Sequence, residues 1–189
     1  SSDLHMNLGN AYMEAGDSEA AESAFLQALR FEPRAAGARV NLAELYAQTA
    51  RIEDAQAVLR NGIEMDAENA VLHHALGLIL VRDDRQDEAL SELETATRLQ
   101  ADVPRFVYVY AVALNSTGRP DEAIMVLEDA LQRFPQDFDV HWALATMLRD
   151  QGRIAEARAV ATDLSVLYPG IESVQNLLQS LDRKSTRLN

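Results

Sequence analysis

Asn7-Leu8-Gly9-Asn10-Ala11-Tyr12, followed by Ala21, Phe25, Ala28 and Pro33, is the stretch whose reading decides the fold. Its pattern returns every thirty-four residues. With Ser2 as position one, further units open at Ala36, Ala70, Pro104 and Phe138. Position twenty is then Ala21, Ala55, Ala89, Ala123 and Ala157, without exception. Position eight is Gly9, Ala43, Gly77, Ala111 and Ala145, always small. Position seven is Leu8, Leu42, Leu76, Tyr110 and Leu144, and position eleven is Tyr12, Tyr46, Leu80, Leu114 and Leu148. Self-similarity at such a period marks a stacked array of short supersecondary units.

Within each unit, positions three, seven, ten and eleven are mainly apolar, which forms one stripe on a helix of about 3.6 residues per turn. A glycine inside a helix costs about 1 kcal/mol relative to alanine. Gly9 and Gly77 are therefore expected where a partner helix approaches closely, facing the alanine of position twenty. Gly16-Asp17, Gly118-Arg119-Pro120 and Gly152-Arg153 read as the turn between two helices. Asp17 is an N-cap, and Pro120 suits a first helical position, where its missing N–H does no harm. Glu53-Asp54, Asp87-Glu88 and Asp121-Glu122 put negative charge in a first turn, favouring the helix dipole. Pro33, Pro135 and Pro169 end the second helices. Val103 to Tyr110 has strand-like composition, yet Val107, Tyr110, Ala111 and Leu114 keep the helical stripe, so helix is expected to about Ser116.

These columns resemble the tetratricopeptide repeat, from Ser2 to about Ile171. Leu8, Gly9, Tyr12, Ala21, Phe25, Ala28 and Pro33 all fall on family positions, while Gly62, Ala67, Ala101 and Ala161 depart from them. The resemblance implies an all-α, right-handed superhelical solenoid of antiparallel helix pairs. The expected units are residues 2–35, 36–69, 70–103, 104–137 and 138–171. Residues 172–181, with Val174, Leu177, Leu178 and Leu181 on one face, would cap the array or begin a sixth unit. From Asp182 to Asn189 the apolar periodicity stops and Lys184, the only lysine, appears. This octapeptide reads as a translated sequencing adapter, so residues 182–189 are expected to be a non-native tail. The chain is then a fragment of a longer protein, bacterial by its preference for arginine over lysine.

In this family the first helices line a concave groove that holds the ligand. By position, the expected partner-binding residues are Asn10, Asn41, Glu44, His74, Arg82, Arg105, Tyr108, Val112, Asn115, Trp142 and Arg149. His74, Tyr108 and Trp142 share position five in successive units and should form a ladder, with arginines nearby. Aromatic rings beside arginine are the usual composition of an interface hot spot. The family's carboxylate clamp needs cations where this chain has Met6, Val71 and Ala75. Chaperone C-terminal tails are accordingly not the expected ligand, although Asn10 and Asn41 match the clamp's asparagines.

Several functions are argued against by composition. The chain carries 17 basic and 30 acidic residues, a net charge of −13, which repels a phosphate backbone. No apolar run reaches the roughly 20 residues needed to span a bilayer. Cysteine is absent, which removes disulfides, thiolate zinc sites, thiol nucleophiles and covalent haem attachment within this segment. His5, His73 and His141 share position four, a niche on a helix face rather than a metal cluster, and His73 and His74 point about 100° apart on a helix. No phosphate-cradling glycine loop or nucleophile elbow occurs. The expectation is a non-enzymatic scaffold that binds a protein or peptide, with no cofactor, nucleic acid or membrane insertion. It is a soluble segment of cytoplasm or periplasm. The alternative is an accessory C-terminal segment of a larger enzyme or multihaem electron-transfer protein, because Val107 to Asn115 is similar to repeat arrays attached to bacterial multihaem cytochromes. A further alternative is self-assembly by stacking of the ends.

Overall fold

The computed structural model describes residues 1–185. It contains eleven helices and no strand among those residues: α1 Ser2–Ala15, α2 Ser18–Phe31, α3 Ala36–Gln48, α4 Ile52–Met65, α5 Ala70–Arg82, α6 Gln86–Leu99, α7 Pro104–Ser116, α8 Pro120–Arg133, α9 Phe138–Asp150, α10 Ile154–Leu167 and α11 Glu172–Ser185. The architecture is an all-α repeat solenoid. The strand-like run at Val103 is helix from Pro104 onward and ends at Ser116, because burial of Phe106, Val107, Ala111 and Leu114 on one face outweighs local propensity. α11 runs to Ser185, four residues into the segment expected to be foreign, and Asp182 ion-pairs Arg158 at 2.8 Å. The remainder of that expected tail, residues 186–189, lies outside the described residues.

The chain divides into two compact units, Ser1–Gln100 with α1 to α6, and Ala101–Asn189 with α7 to α11. Inside each unit a second helix packs on the first helix of its own pair and on the first helix of the next. Successive first helices (α1, α3 and α5; α7 and α9) also touch, more closely than successive second helices do. That closer spacing bends each stack towards its first helices, which become the inner wall.

The alanines of position twenty lie at the centre of this packing. Ala21, Ala55, Ala123 and Ala157 are fully buried and Ala89 is 1% exposed. The expected glycine-to-alanine approach is present at Gly77, where a Cβ would lie 3.3 Å from Ala89 O, but the tighter neighbour of both glycines is a larger side chain. A Cβ at Gly9 would lie 2.5 Å from the Phe25 ring, and one at Gly77 would lie 2.6 Å from Leu93 Cγ. Phe25 and Leu93 both hold position twenty-four. The glycines make room for that large side chain, and the alanine sets the approach of the backbone beside it. The two pairs with glycine at position eight, α1–α2 and α5–α6, are correspondingly the most intimately packed.

The turns follow local chemistry. Gly16 adopts φ 78° at the end of α1, and its N–H and that of Asp17 bond back to Met13 O and Tyr12 O. Gly118 and Gly152 repeat the left-handed conformation. Where no glycine is present, Ala50 and Asp84 take it at φ 60° and 56°. Asp17 caps α2 by accepting from Ala20 N at 3.0 Å. α11 buries Val174, Leu177 and Leu181 against α10.

Candidate functional site

On the inner wall of the first unit, Asn10 on α1 and Asn41 on α3 meet directly: Asn41 Nδ2 donates to Asn10 Oδ1 at 2.7 Å. Their amides thus tie neighbouring first helices together. Glu44 on α3 and Arg82 on α5 form the next tie, an ion pair at 3.0 Å with both side chains partly exposed. Exposed pairs of this kind stabilise by about 1 kcal/mol or less. His74 is only 8% exposed and offers a partner almost no surface. The first unit's candidate residues are therefore largely engaged with one another.

The second unit's inner wall differs. Arg105, Tyr108, Val112 and Asn115 follow one another at helical spacing on α7. Arg105, Val112 and Asn115 are exposed and Tyr108 is half-buried. Arg105 has no ion-pair partner among the described residues. On the adjoining α9, Trp142 is half-buried and stacks on Phe138 one turn earlier, with ring centroids 6.2 Å apart and planes 8° from parallel. Phe138 meets Tyr168 edge-on at 5.3 Å, and the Tyr168 hydroxyl donates to Gln136 O at 2.6 Å. Trp142 thus ends an aromatic row that runs through Phe138 to Tyr168. Phe138 and Tyr168 escaped the sequence reading because they hold positions one and thirty-one, outside the groove positions. Arg149, two turns beyond Trp142, pairs with its neighbour Asp150 at 2.8 Å.

The position-four residues occupy a niche away from this wall. His73 places Nδ1 2.6 Å from the Glu92 carboxylate and Nε2 2.9 Å from Ala67 O. His141 Nδ1 donates to Asp137 O at 2.8 Å, and His5 Nδ1 contacts Ser1 O at 2.9 Å. Arg39 holds the same position and was missed among the histidines. It is 6% exposed, donates to Pro33 O and Val58 O, and is depressed from the ordinary arginine value by burial.

Polar ties also join successive pairs away from the inner wall. The Tyr46 hydroxyl donates to Glu22 at 2.7 Å, and Arg51 reaches the same carboxylate at 2.8 Å. Burial first, and then the bond to Glu22, push the Tyr46 phenol up to about 12. Gln56 donates to Asp83 at 2.7 Å and accepts from Arg85. No helix among the described residues is long and apolar enough to cross a membrane.

Stacked helix pairs with a small-residue seam define the class as a tetratricopeptide repeat solenoid. A family model described as the Cilia and flagella-associated protein 70 C-terminal domain, a tetratricopeptide repeat domain, matches residues 1–165, and the chain belongs to that repeat family. No curated protein sequence matches the chain significantly. Among solved structures, the chain is similar to Pseudomonas aeruginosa pilF, at 20% identity over 99% of this chain and 91% of that one, TM-score 0.73. It is also similar to TTC0263, a thermophilic TPR protein in Thermus thermophilus, at 20% identity over 96% and 98%, TM-score 0.67. A third is YrrB, described as a TPR protein with an unusual peptide-binding site, at 19% identity over 91% and 89%, TM-score 0.67. These likenesses establish the fold.

Proposed function

We propose that the chain is a scaffold segment that holds a peptide or protein partner against its first helices, with the α7–α9 wall as the main contact. The observation that carries this reading is the half-buried Trp142 ring, stacked on Phe138, which in turn meets Tyr168 edge-on. A rigid aromatic anchor loses little conformational freedom on binding. The adjoining α7 adds Tyr108, the 39% exposed Val112 and Arg105, which has no ion-pair partner among the described residues. That surface suits a segment carrying apolar side chains next to an acidic one. YrrB, which shares the fold, is described by its peptide-binding site, and the same use of the fold is proposed here.

The test places a photo-crosslinking amino acid at Val112 and, separately, at Met125 on α8, which is 67% exposed. A partner should be captured from position 112 and not from position 125. In binding measurements with that partner, Trp142→Ala should cost about 2 kcal/mol or more while the helical circular dichroism is kept. Equal capture at both positions, or a Trp142→Ala variant that binds normally, would overturn the assignment.

A further inference from the structure

Position four of the repeat faces a recurring niche, and the chain's own side chains reach into it in the second and third units and, through Arg133 donating to Ala101 O at 2.9 Å, in the fourth. In the second repeat the Arg39 guanidinium donates to Pro33 O at 2.8 Å and Val58 O at 3.2 Å and touches the Met65 sulfur at 3.4 Å. In the third, His73 lies between the Glu92 carboxylate and Ala67 O. Pro33 and Ala67 both hold position thirty-two, and Met65 holds position thirty.

In the fifth repeat the niche is open. His141 turns its Nδ1 back to Asp137 O at the start of its own helix. Beside it lies a cavity of about 500 Å³ whose walls include Pro135, Leu167, Leu131, Val166 and Asp163. Pro135 and Leu167 hold positions thirty-two and thirty, the same positions as two of the residues that surround the Arg39 guanidinium. Asp163 adds a carboxylate that the second repeat lacks, since its equivalent there is Asn61. The aliphatic wall is accessible, with Val166 75% exposed. Leu164 is fully buried at the position where Gly62 leaves space for the Arg39 stem, so the route along the helix is closed and the solvent-facing mouth is the way in.

We propose that this cavity, on the second-helix side of the second unit, receives the arginine side chain of a basic partner segment, as the second repeat receives Arg39. The guanidinium would meet Asp163 and the backbone around Pro135, while its methylene stem lies along Leu131, Val166 and Leu167. Planar guanidinium donors suit a carboxylate beside a carbonyl better than a point-like ammonium does. The chain's net charge of −13 draws a basic segment towards it. This site is separate from the Trp142 wall and stands without it.

The test titrates the isotope-labelled full chain with the blocked peptide acetyl-Gly-Arg-Gly-amide and follows backbone amide shifts by NMR. Peptides with citrulline or lysine replacing the arginine serve as comparison probes. Saturable shifts are expected at the ends of α8 and α10 and around His141. Binding should weaken by about fivefold or more with the citrulline peptide or with Asp163→Asn, as expected for loss of a charge-assisted hydrogen bond. Asp87→Asn, which removes one exposed charge from α6, should leave binding unchanged. Asp163 is exposed, so its variant keeps the fold. Shifts that fail to saturate, that match for citrulline and arginine, or that weaken equally with Asp87→Asn would overturn the proposal. A lysine peptide binding as tightly as the arginine peptide would overturn the guanidinium assignment.

Discussion

An alanine Cβ at position 62 would sit 2.7 Å from Arg39 Cδ and 3.0 Å from Leu72 Cδ1. The repeat pattern shows Gly62 only as a departure from alanine, because its cause is a side chain twenty-three residues away. Arg39 is buried and its guanidinium is tied to two carbonyls, so the stem has little room to move aside. Gly62→Ala alone should therefore destabilise by about 1–3 kcal/mol through overpacking. In an Arg39→Ala background the same change should become neutral or stabilising, since alanine gains about 1 kcal/mol over glycine in a helix interior. A double-mutant cycle by urea unfolding measures the coupling. Additive effects would mean that Gly62 answers to Leu72 and not to Arg39. Gly9 and Gly77 teach the same lesson. Their small size was legible in the sequence, but the neighbours that require it, Phe25 and Leu93, lie on another helix and were not.

At the scale of the element, four second helices start without a side-chain cap, at Arg51, Arg85, Arg119 and Arg153. Each arginine instead grips the acid three residues on: Asp54 at 2.7 Å, Glu88 at 2.6 Å, Glu122 at 2.6 Å and Glu156 at 2.5 Å. The acid lies where the helix dipole favours negative charge, and the arginine holds it there. Asp54, Glu88 and Glu122 were legible as first-turn charge, whereas Glu156 was not singled out. The arginines were not, because N-cap preference looks for serine, threonine, aspartate or asparagine. Hydrogen bonds from Arg85, Arg119 and Arg153 hold Glu88, Glu122 and Glu156 below the ordinary carboxylate range. A carboxylate whose folded pKa is depressed contributes stability above its unfolded value, about 4.3 for glutamate, and that contribution is lost as pH falls through the folded value. Denaturant midpoints should thus drop between about pH 7 and about pH 3, and the variant Glu88→Gln, Glu122→Gln, Glu156→Gln should drop less. An identical fall in the variant would assign the acid sensitivity to other groups.

For the whole molecule, the thirty-four-residue period made the helices legible, because packing repeats and sequence must repeat with it. The proposed contact wall was legible only in part. Which side chain holds position five or nine does not repeat, and engagement such as Asn10–Asn41 or the burial of His74 depends on contacts between units of the period. In an array of this kind each pair is stabilised mainly by its neighbours, and the effect of removing an end should fade along the chain. α11 contributes Val174, Leu177 and Leu181, between 0 and 4% exposed, each worth roughly 2 kcal/mol of burial. Deleting residues from Glu172 onward should therefore cut amide hydrogen-exchange protection most in α10, less in α9, and leave α1 to α6 as protected as in the full chain. The same deletion keeps Trp142 and Phe138 in the chain, so tryptophan fluorescence reports whether the proposed contact wall outlasts its cap. A uniform loss of protection through all helices would instead mean that the two units unfold as one cooperative block, against the nearest-neighbour stability their packing implies.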